Sequence, residues 1–541
     1  HAEFLGEMAL CTDPGGASYE ADFCTAIREG SGREPALVAR IMAPFRLRDR
    51  ETCGDDGERC GVAAADLWRQ MVEAAERWND TSSECRRATF AAYEYSSYRL
   101  GSNLHRNVIF KSATVPRRPV SYLDAIREWD LWRLLKAQCI DAKDDCDALA
   151  IPHNSNISNG RMFAVDYPGA DGTAERAARA RLRSTLEPLV EIMQHKGDSE
   201  CRNGMPGVLA ANDELCAFEA FEDFAMARGR ADFVPEPCYD GPFADAVPHL
   251  GPDCVSPLSY VRNALVEGLV QQSLLGVNPY KLGIIASTDT HNGLAGAVSE
   301  RDFPGHLGSG DALPQQRVQY SPDLPGNASN NPGGLVGVWA EQNRRATLFE
   351  AMRRREVFGT SGPRIRPRFF GGWTLDANLC ERVDAIATAY AEGVPMGGDL
   401  PVHRGAAAPR FYAAATADPN GTALQQLQII KGWVDAQGRK RSQVFTVAGD
   451  ANNGATVDLK TCSPRGRGNP QLCGVWQDPD FDPARDAVYY LRAVENPSCR
   501  YSAWQCLVLE GADRPAACDE PPVDPVIQER AWSSPIWYSA Q

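Results

Sequence analysis

The chain has 541 residues, of which 43% are hydrophobic and 23% charged, with a formal net charge of -15 at pH 7. This composition is typical of a globular protein and excludes a disordered or fibrous one. The negative charge disfavours a nucleic-acid binder or a binder of anionic membranes, because both need basic surfaces. No apolar run approaches the roughly 18 residues of a membrane span, so none is expected.

Predicted helices and strands alternate along the first two thirds of the chain. Apolar spacing or helix-forming composition predicts helices over 62–79, 122–137, 173–189, 257–274 and 341–357. The first of these helices is amphipathic, with apolar residues at Leu67, Met71, Ala74 and Trp78. Strands are predicted over 89–95, at His105, at His153, over 191–195 and over 282–286. This alternation predicts a layered or barrel-shaped α/β domain.

The remaining segments differ in composition and in hydrophobic pattern. Residues 1–60 are expected to be loop-rich, and the Gly, Pro, Asn and Ser content of 301–336 predicts a long loop. After about residue 370, short alternating runs separated by turn residues predict a small antiparallel β-sandwich. We therefore expect two domains, over 1–370 and 371–541.

The 17 cysteines predict an oxidising compartment, because none forms the Cys-x2-Cys doublets of structural zinc sites. Most fall into short-range couples that predict local disulfides: Cys11/Cys24, Cys53/Cys60, Cys139/Cys146, Cys201/Cys216, Cys238/Cys254, Cys462/Cys473 and Cys499/Cys506. Cys85, Cys380 and Cys518 are left over, and their odd number implies a free thiol or a partner outside the chain. A periplasmic or secreted protein is expected.

A candidate metal-binding pair follows the apolar run over 282–286. Asp289 and His291 stand two positions apart, and side chains two apart on an extended segment point to the same side. A carboxylate and an imidazole can then bind one divalent cation such as zinc, iron or manganese. The sequence therefore predicts a metal site at the end of this strand.

Several of the eight histidines stand in comparable settings, next to an apolar run and a polar loop. His153 and His195 follow apolar runs, His105 begins a strand-like run, and His1 precedes a short apolar segment. Ligands that project from strand ends into loops are typical of α/β barrel sites. His249, His306 and His403 lack this setting.

Motifs along the whole chain resemble the DUF3604 family, which is similar to an exported branch of the PHP (polymerase and histidinol phosphatase) superfamily of metal-dependent hydrolases. The segments that carry the resemblance are Tyr93-Glu94, 103–107, 151–156, 195–200, 288–292, 333–340 and 531–538. The resemblance implies a distorted seven-stranded (β/α) barrel with two or three divalent metal ions at one face.

The resemblance also implies which residues bind the metals: His1, Glu94, His105, His153, Asp289 and His291. The first motif of the superfamily, a His-x-His after the opening strand, is absent. We therefore expect an N-terminally truncated barrel, with the missing motif encoded upstream.

The implied activity is that of an exported hydrolase that uses a metal-activated water on a phosphoester or a related ester. Asp289 is expected to take part in catalysis as well as in metal binding. His195 has no assured counterpart in the superfamily and is a candidate general acid or substrate contact. Arg106, Lys196 and Arg364 are candidate contacts for a small anionic ester substrate.

Two other classes of function fit the sequence. A catalytically inactive exported scaffold would explain the missing first motif, and it would bind no metal. An oxidative copper protein would use His1 as a mature N-terminus, and an upstream His-x-His in the gene would exclude it. The sequence leaves the oligomeric state open.

Overall fold

The computed structural model of the protein describes residues 1–29, 48–99, 102–142, 144–205, 208–210, 212–221, 236–238, 254–319, 328–402, 405 and 407–540. The described helices are α1 (Leu5–Cys11), α2 (Asp22–Glu29), α3 (Arg50–Cys53), α4 (Glu58–Trp78), α5 (Glu128–Leu135), α6 (Gly172–Leu186), α7 (Val261–Leu275), α8 (Pro314–Val318), α9 (Arg345–Arg353), α10 (Ala385–Glu392) and α11 (Tyr501–Val508).

The described strands fall into several sheets, and the first twelve lie before residue 373. They are β1 (Ala92–Ser97), β2 (Leu104–Phe110), β3 (Ala148–Pro152), β4 (Leu189–Gln194), β5 (Gly197–Asp198), β6 (Val208–Ala210), β7 (Glu236–Pro237), β8 (Cys254–Val255), β9 (Gly283–Ala286), β10 (Leu335–Val338), β11 (Val357–Thr360) and β12 (Arg366–Gly372). The later strands are β13 (Val394–Pro395), β14 (Arg410–Thr416), β15 (Leu424–Val434), β16 (Lys440–Gly449), β17 (Thr456–Asp458), β18 (Ser463–Arg465), β19 (Gln471–Gln477), β20 (Ala487–Glu495), β21 (Ser498–Cys499), β22 (Val526–Ile527), β23 (Arg530–Ser533) and β24 (Ile536–Tyr538).

Two small sheets carry the residues that the sequence singles out. Strands β1, β2 and β3 form an antiparallel sheet, and β4 pairs in parallel with β9. Strand β3 lies beside β4, so the two small sheets are neighbours. Strand β9 also lies beside β11, which belongs to a larger sheet. Because β2 is antiparallel to both of its partners, its start lies next to the ends of β1 and β3. His105 at the start of β2 therefore meets residues from the ends of other strands.

A large sheet joins the two halves of the chain. Its strand order is β10-β11-β23-β20-β15-β16-β6, with β24 also paired to β20, and only the β16–β6 pair is parallel. A four-stranded sheet, β13-β12-β14-β19, covers one face through a core that includes Phe369, Phe411, Leu427 and Tyr489. On the other face of the large sheet, α7 and the β4–β9 pair pack against it. Their shared core includes Val190, Val266, Ile430 and Trp532.

The predicted mixed α/β class is confirmed, and the described strands form open sheets without a closed barrel among them. After residue 370 the chain forms mainly antiparallel strands in two facing sheets, and the larger sheet also takes β6, β10 and β11 from before residue 370. The predicted domain boundary falls inside β12.

Some local predictions are wrong in detail. Residues 1–29 and 48–60 contain α1, α2, α3 and the start of α4, so this region is more helical than its Gly and Pro clusters indicate. Helix α4 is confirmed, but it buries Ala64 and Trp68, whereas Met71 and Trp78 are exposed. The buried face lies one position beyond the predicted one, because Trp68 rather than its neighbour Leu67 is fully packed inward. The predicted long loop over 301–336 includes helix α8.

Seven disulfides are described, and four of them are the predicted local pairs Cys11–Cys24, Cys53–Cys60, Cys139–Cys146 and Cys201–Cys216. The predicted Cys462/Cys473 and Cys499/Cys506 couples are wrong: the bonds are Cys380–Cys473, Cys462–Cys499 and Cys506–Cys518. Sheet packing brings together cysteines that are distant in sequence. Cys238 is disulfide-bonded, and the predicted Cys238/Cys254 pair lies outside the described side chains. Cys85 is free.

Among the described helices, none has the length and apolar character that crossing a membrane requires.

Candidate metal centre

A first group of ligand-type side chains surrounds the carboxylate of Glu94 on β1. Glu94 Oε1 lies 2.7 Å from His105 Nδ1 and 3.5 Å from His153 Nε2. Its other oxygen, Oε2, lies 3.0 Å from His1 Nδ1, which also contacts Ser96 Oγ at 2.6 Å. The sheet register explains this meeting, since Ser96 is opposite His105 and Pro152 is opposite Arg106. One carboxylate thus contacts three imidazoles from three different parts of the chain.

A second group forms where β4 and β9 end. His195 Nε2 lies 3.5 Å from Asp289 Oδ2, and His291 Nδ1 lies 2.7 Å from the main-chain oxygen of Asp289. The backbone at Asp289 has φ +51°, so the predicted extended conformation of this segment is wrong. Left-handed backbone at a residue other than glycine is strained and is concentrated at functional sites. Here the strained turn, rather than strand alternation, brings Asp289 and His291 together.

The two groups are close neighbours. Within each of the triplets Glu94–His105–His153 and His195–Asp289–His291, ligand atoms lie within 4.8 Å of one another. The rings of His1 and His291, one from each group, have centroids 5.9 Å apart. Together the six residues assigned as metal ligands from the resemblance meet at one place, and His195 joins them.

The donor atoms fit divalent metal ions. Among the described residues, ring nitrogens of His105, His153 and His195 are buried and have no hydrogen-bond partner. Buried polar atoms are almost always satisfied, so such a concentration needs an explanation. Neutral imidazoles and carboxylates are the donors that zinc, iron and manganese accept. The residues present therefore fit the metal cofactor that the sequence leads us to expect.

The electrostatics keep both carboxylates ionised. Burial would raise the pKa of Glu94, but contacts with His1, His105 and His153 outweigh it and hold that pKa well below its ordinary value. Burial likewise opposes ionisation of Asp289, and the Lys196 ammonium nevertheless holds its pKa well below the ordinary value. Anionic oxygens at neutral pH are the form in which a carboxylate binds a metal ion.

The imidazoles differ from one another. Burial, together with the charge of Lys196, lowers the pKa of His195 to about 3. Burial also lowers the pKa values of His105 and His291. His153 and His1 differ from these: contact with Glu94 and the charge of Glu191 outweigh burial and raise the pKa of His153 to about 9, and contact with Glu94 outweighs burial and raises the pKa of His1. His195, His105 and His291 are thus neutral at pH 7, as ligands must be.

The Asp289 carboxylate is also bound by two neighbouring side chains. Gln194 Nε2 donates to Asp289 Oδ2 at 2.6 Å, and Lys196 Nζ forms an ion pair with the same oxygen. Lys196, predicted as a substrate contact, therefore lies at the centre and is partly exposed.

The two predicted arginine contacts lie elsewhere. Arg106 is fully buried and pairs with Glu187 at 2.8 Å, because neighbouring residues on a strand point to opposite faces and His105 already faces the centre. Arg364 is exposed, and its described hydrogen bond runs from its main-chain nitrogen to Asp418. Neither guanidinium contacts a residue of the candidate centre in the described part of the chain.

Sequence reasoning missed three residues next to the centre. Burial raises the pKa of Glu191 to about 7, and this residue accepts a hydrogen bond from Ser287 Oγ. An acid inside the apolar run 189–193 was the signal that could have revealed it. Gln194 carried no such signal. His306, set aside for its context, is buried with its ring 5.7 Å from that of His195, and His249 and His403 lie outside the described residues.

A glycine allows the loop before β10 to approach the centre. Gly333 has φ +78°, and a Cβ added there would lie 2.8 Å from Ser287 O, 2.9 Å from Thr288 Cα and 3.2 Å from His195 N. Only glycine fits such a position without displacing backbone. The next residue, Gly334, donates its N–H to Ser287 O at 2.7 Å. The loop thus supports the segments that carry Asp289 and His195.

Fold and site together define a disulfide-bonded α/β protein with a candidate divalent-metal centre at its strand ends. The family model described as "Protein of unknown function (DUF3604)" matches residues 1–540, and the chain belongs to this family. A search of curated proteins gave no match, and a search of solved structures gave none either.

Proposed function

We propose that the protein is an exported, metal-dependent hydrolase that cleaves a phosphoester or a related ester in a small anionic substrate. The observation that carries the proposal is the meeting of two ligand triplets, Glu94–His105–His153 and His195–Asp289–His291. The residues of the first triplet come from three separate strands or their ends, and those of the second follow the ends of β4 and β9. Chance proximity on a surface would not bury so many unpartnered imidazole nitrogens.

The arrangement supports two or three divalent ions. Glu94, His105, His153 and His1 would hold metal in the first group, since all three imidazoles contact the Glu94 carboxylate. Asp289, His291 and His195 would hold metal in the second group. His195 Nε2 lies 3.5 Å from Asp289 Oδ2, and both ring nitrogens of His195 are buried without a hydrogen-bond partner, so we assign His195 to metal binding. Its pKa of about 3 leaves it neutral at pH 7, which does not suit a general acid.

Divalent ions in such a site would supply a water that ionises near neutral pH and positive charge for the oxygens of a phosphoryl group. The chain's own residues would orient the reactants. Asp289, fixed by Gln194, would hold a metal ion, and the partly exposed Lys196 ammonium would neutralise charge on the substrate. Zinc, manganese and iron all accept this donor set.

Two further observations support an exported location and a PHP-like fold. The described disulfides fit an exported protein, periplasmic or secreted, since such bonds persist in oxidising compartments. The neighbouring strands β1, β2, β3, β4 and β9, which carry the candidate ligands at or near their ends, are the observation that supports a PHP-like barrel.

The test combines metal analysis with an assay. Purified protein should contain zinc, manganese or iron by mass spectrometry and should hydrolyse p-nitrophenyl phosphate or a related ester. A chelator should abolish the activity, and added Mn²⁺ or Zn²⁺ should restore it. Glu94→Gln and Asp289→Asn should lose it, whereas Glu73→Gln, at a side chain 55% exposed on α4, should keep it. Absence of both metal and hydrolysis would instead favour the inactive scaffold.

A further inference from the structure

Two hydrogen-bond donors and a nearby imidazole converge on a single oxygen of the candidate centre. Asp289 Oδ2 accepts a hydrogen bond from Gln194 Nε2 at 2.6 Å, forms an ion pair with Lys196 Nζ, and lies 3.5 Å from His195 Nε2. An anionic oxygen beside a metal position is thus already bound by a cationic side chain. A divalent ion that uses Asp289 must share this oxygen with the ammonium or displace it.

The backbone of Lys196 is fixed, but its side chain is only partly enclosed. Its N–H donates to Gln194 Oε1, and its carbonyl accepts a hydrogen bond from Asn156 Nδ2 at 3.0 Å. The side chain itself is 24% exposed, whereas that of Asp289 is 16% exposed. The ammonium can therefore leave Asp289 for solvent or a ligand while the residue keeps its place in the turn between β4 and β5.

Gln194 behaves differently because it is neutral and buried. Its amide does not repel a divalent ion, so it can stay on Asp289 Oδ2 and keep the carboxylate oriented. Two cations on one carboxylate oxygen repel each other, and the repulsion is strong where water is excluded. The ammonium is consequently the donor that metal binding would expel.

We propose that Lys196 exchanges partners: its ammonium pairs with Asp289 in the metal-free protein and turns to the anionic group of the substrate once metal is bound. This inference rests on the proposed metal-dependent function. Within that function, metal loading releases the Lys196 ammonium from Asp289, and the ammonium then binds a phosphate-like anion. Metal-free protein would then have a low affinity for the anion.

The first test is a titration of the metal-free full chain with Mn²⁺ alone, followed by calorimetry. Lys196→Gln removes the competing charge but keeps a hydrogen-bond donor, so it should tighten Mn²⁺ binding by about tenfold or more, the effect expected for one charged hydrogen bond. Lys196→Arg keeps the charge and should bind Mn²⁺ about as the native protein does. Lys111→Gln is the matched control, because Lys111 is 30% exposed and pairs with Glu350, outside the centre.

The second test measures inorganic phosphate binding to the Mn²⁺-loaded protein. Lys196→Gln should weaken phosphate binding by about tenfold, although the same variant binds Mn²⁺ more tightly. Tighter Mn²⁺ binding together with weaker phosphate binding is not expected when a lysine that only supports the fold is replaced. Lys196→Met provides a second neutral variant if Lys196→Gln does not fold.

The outcomes separate the two proposals. Unchanged or weaker Mn²⁺ binding by both neutral variants, with a native protein that does bind Mn²⁺, would overturn the exchange and leave the metal centre standing. Failure of the native protein to bind Mn²⁺, Zn²⁺ or iron would overturn both.

Discussion

Arg492 on β20 forms an ion pair with Glu200 through two contacts of 3.1 and 3.0 Å, although 292 positions separate the two residues. Both side chains are fully buried. Arg492 also contacts Asp213 at 2.9 Å, and Arg262 contacts the same two acids. Glu200 lies five positions after His195, so this buried network joins the loop of the candidate centre to the large sheet.

We predict that Arg492→Met destabilises the protein by about 3–5 kcal/mol, because it leaves two buried carboxylates without their main counter-charge. Urea denaturation measures the loss. Arg382→Met is the control, since Arg382 and its partner Asp384 are 42% and 54% exposed and such exposed pairs contribute little to stability. Equal stabilities of the two variants would contradict a structural role for the network.

Substitution of Gly333 should damage the candidate centre more than it damages the fold elsewhere. Gly333→Ala places a Cβ against the backbone of Ser287 and Thr288, so we expect a lower melting temperature and weaker Mn²⁺ binding. Gly276→Ala is the matched control, because Gly276 has φ +68° with open space around its Cβ position. It should cost only the roughly 1–2 kcal/mol of left-handed backbone and leave Mn²⁺ binding unchanged.

Removal of the His195 ring distinguishes a metal ligand from a general acid. We expect His195→Ala to weaken metal binding by more than the roughly 10- to 100-fold that is typical when an outer hydrogen bond to a ligand is lost. The measurement is metal content after dialysis against a buffered metal. His306→Ala should retain metal, since the described bond of that ring runs to Pro332 O at 2.7 Å. Full metal content in His195→Ala, with low activity, would restore the general-acid role.

Stability of the metal-free protein should fall as pH rises from about 5 to about 8. Burial, with the nearby Glu219 carboxylate, raises the pKa of Glu300 from its ordinary value of 4.5 to about 8. Above pH 4.5 the unfolded chain loses this proton while the folded chain keeps it, so unfolding becomes progressively easier until the folded group also ionises. Burial raises the pKa of Glu495 to about 7, which adds to the same trend.

Thermal melts in a chelator at several pH values measure this slope. Glu300→Gln imitates the protonated acid and should flatten the curve between pH 5 and pH 8. A variant with the native slope would show that Glu300 ionises equally easily in the folded and unfolded chain.

Much of the local structure could be predicted from the sequence because its signals are local. The helix over 173–189 and the strand over 191–195 follow from composition and are present as α6 and β4. The strands after residue 370 follow from alternation and turn residues. The face of α4 could not be fixed in this way, because Leu67 and Trp68 offer two adjacent apolar stripes and only packing selects one.

The sequence indicated which metal-ligand candidates meet, but it indicated neither their geometry nor all of their neighbours. The resemblance brought Glu94, His153 and Asp289 together, and the structure places them together. Strand alternation was available as a signal against Arg106, since its neighbour His105 occupies the inner face. The long-range Cys380–Cys473 disulfide and the buried position of His306 depend on how distant segments pack, which no local pattern encodes.

The pairing of β11 with β23 has a consequence for how this protein folds. Strand β23 comes far along the chain from β11, yet it fills the place between β11 and β20 in the large sheet. The edge of β11 that faces β20 therefore stays unpaired until β23 has been synthesised. The half that bears the candidate centre thus completes its folding together with the late strands of the large sheet.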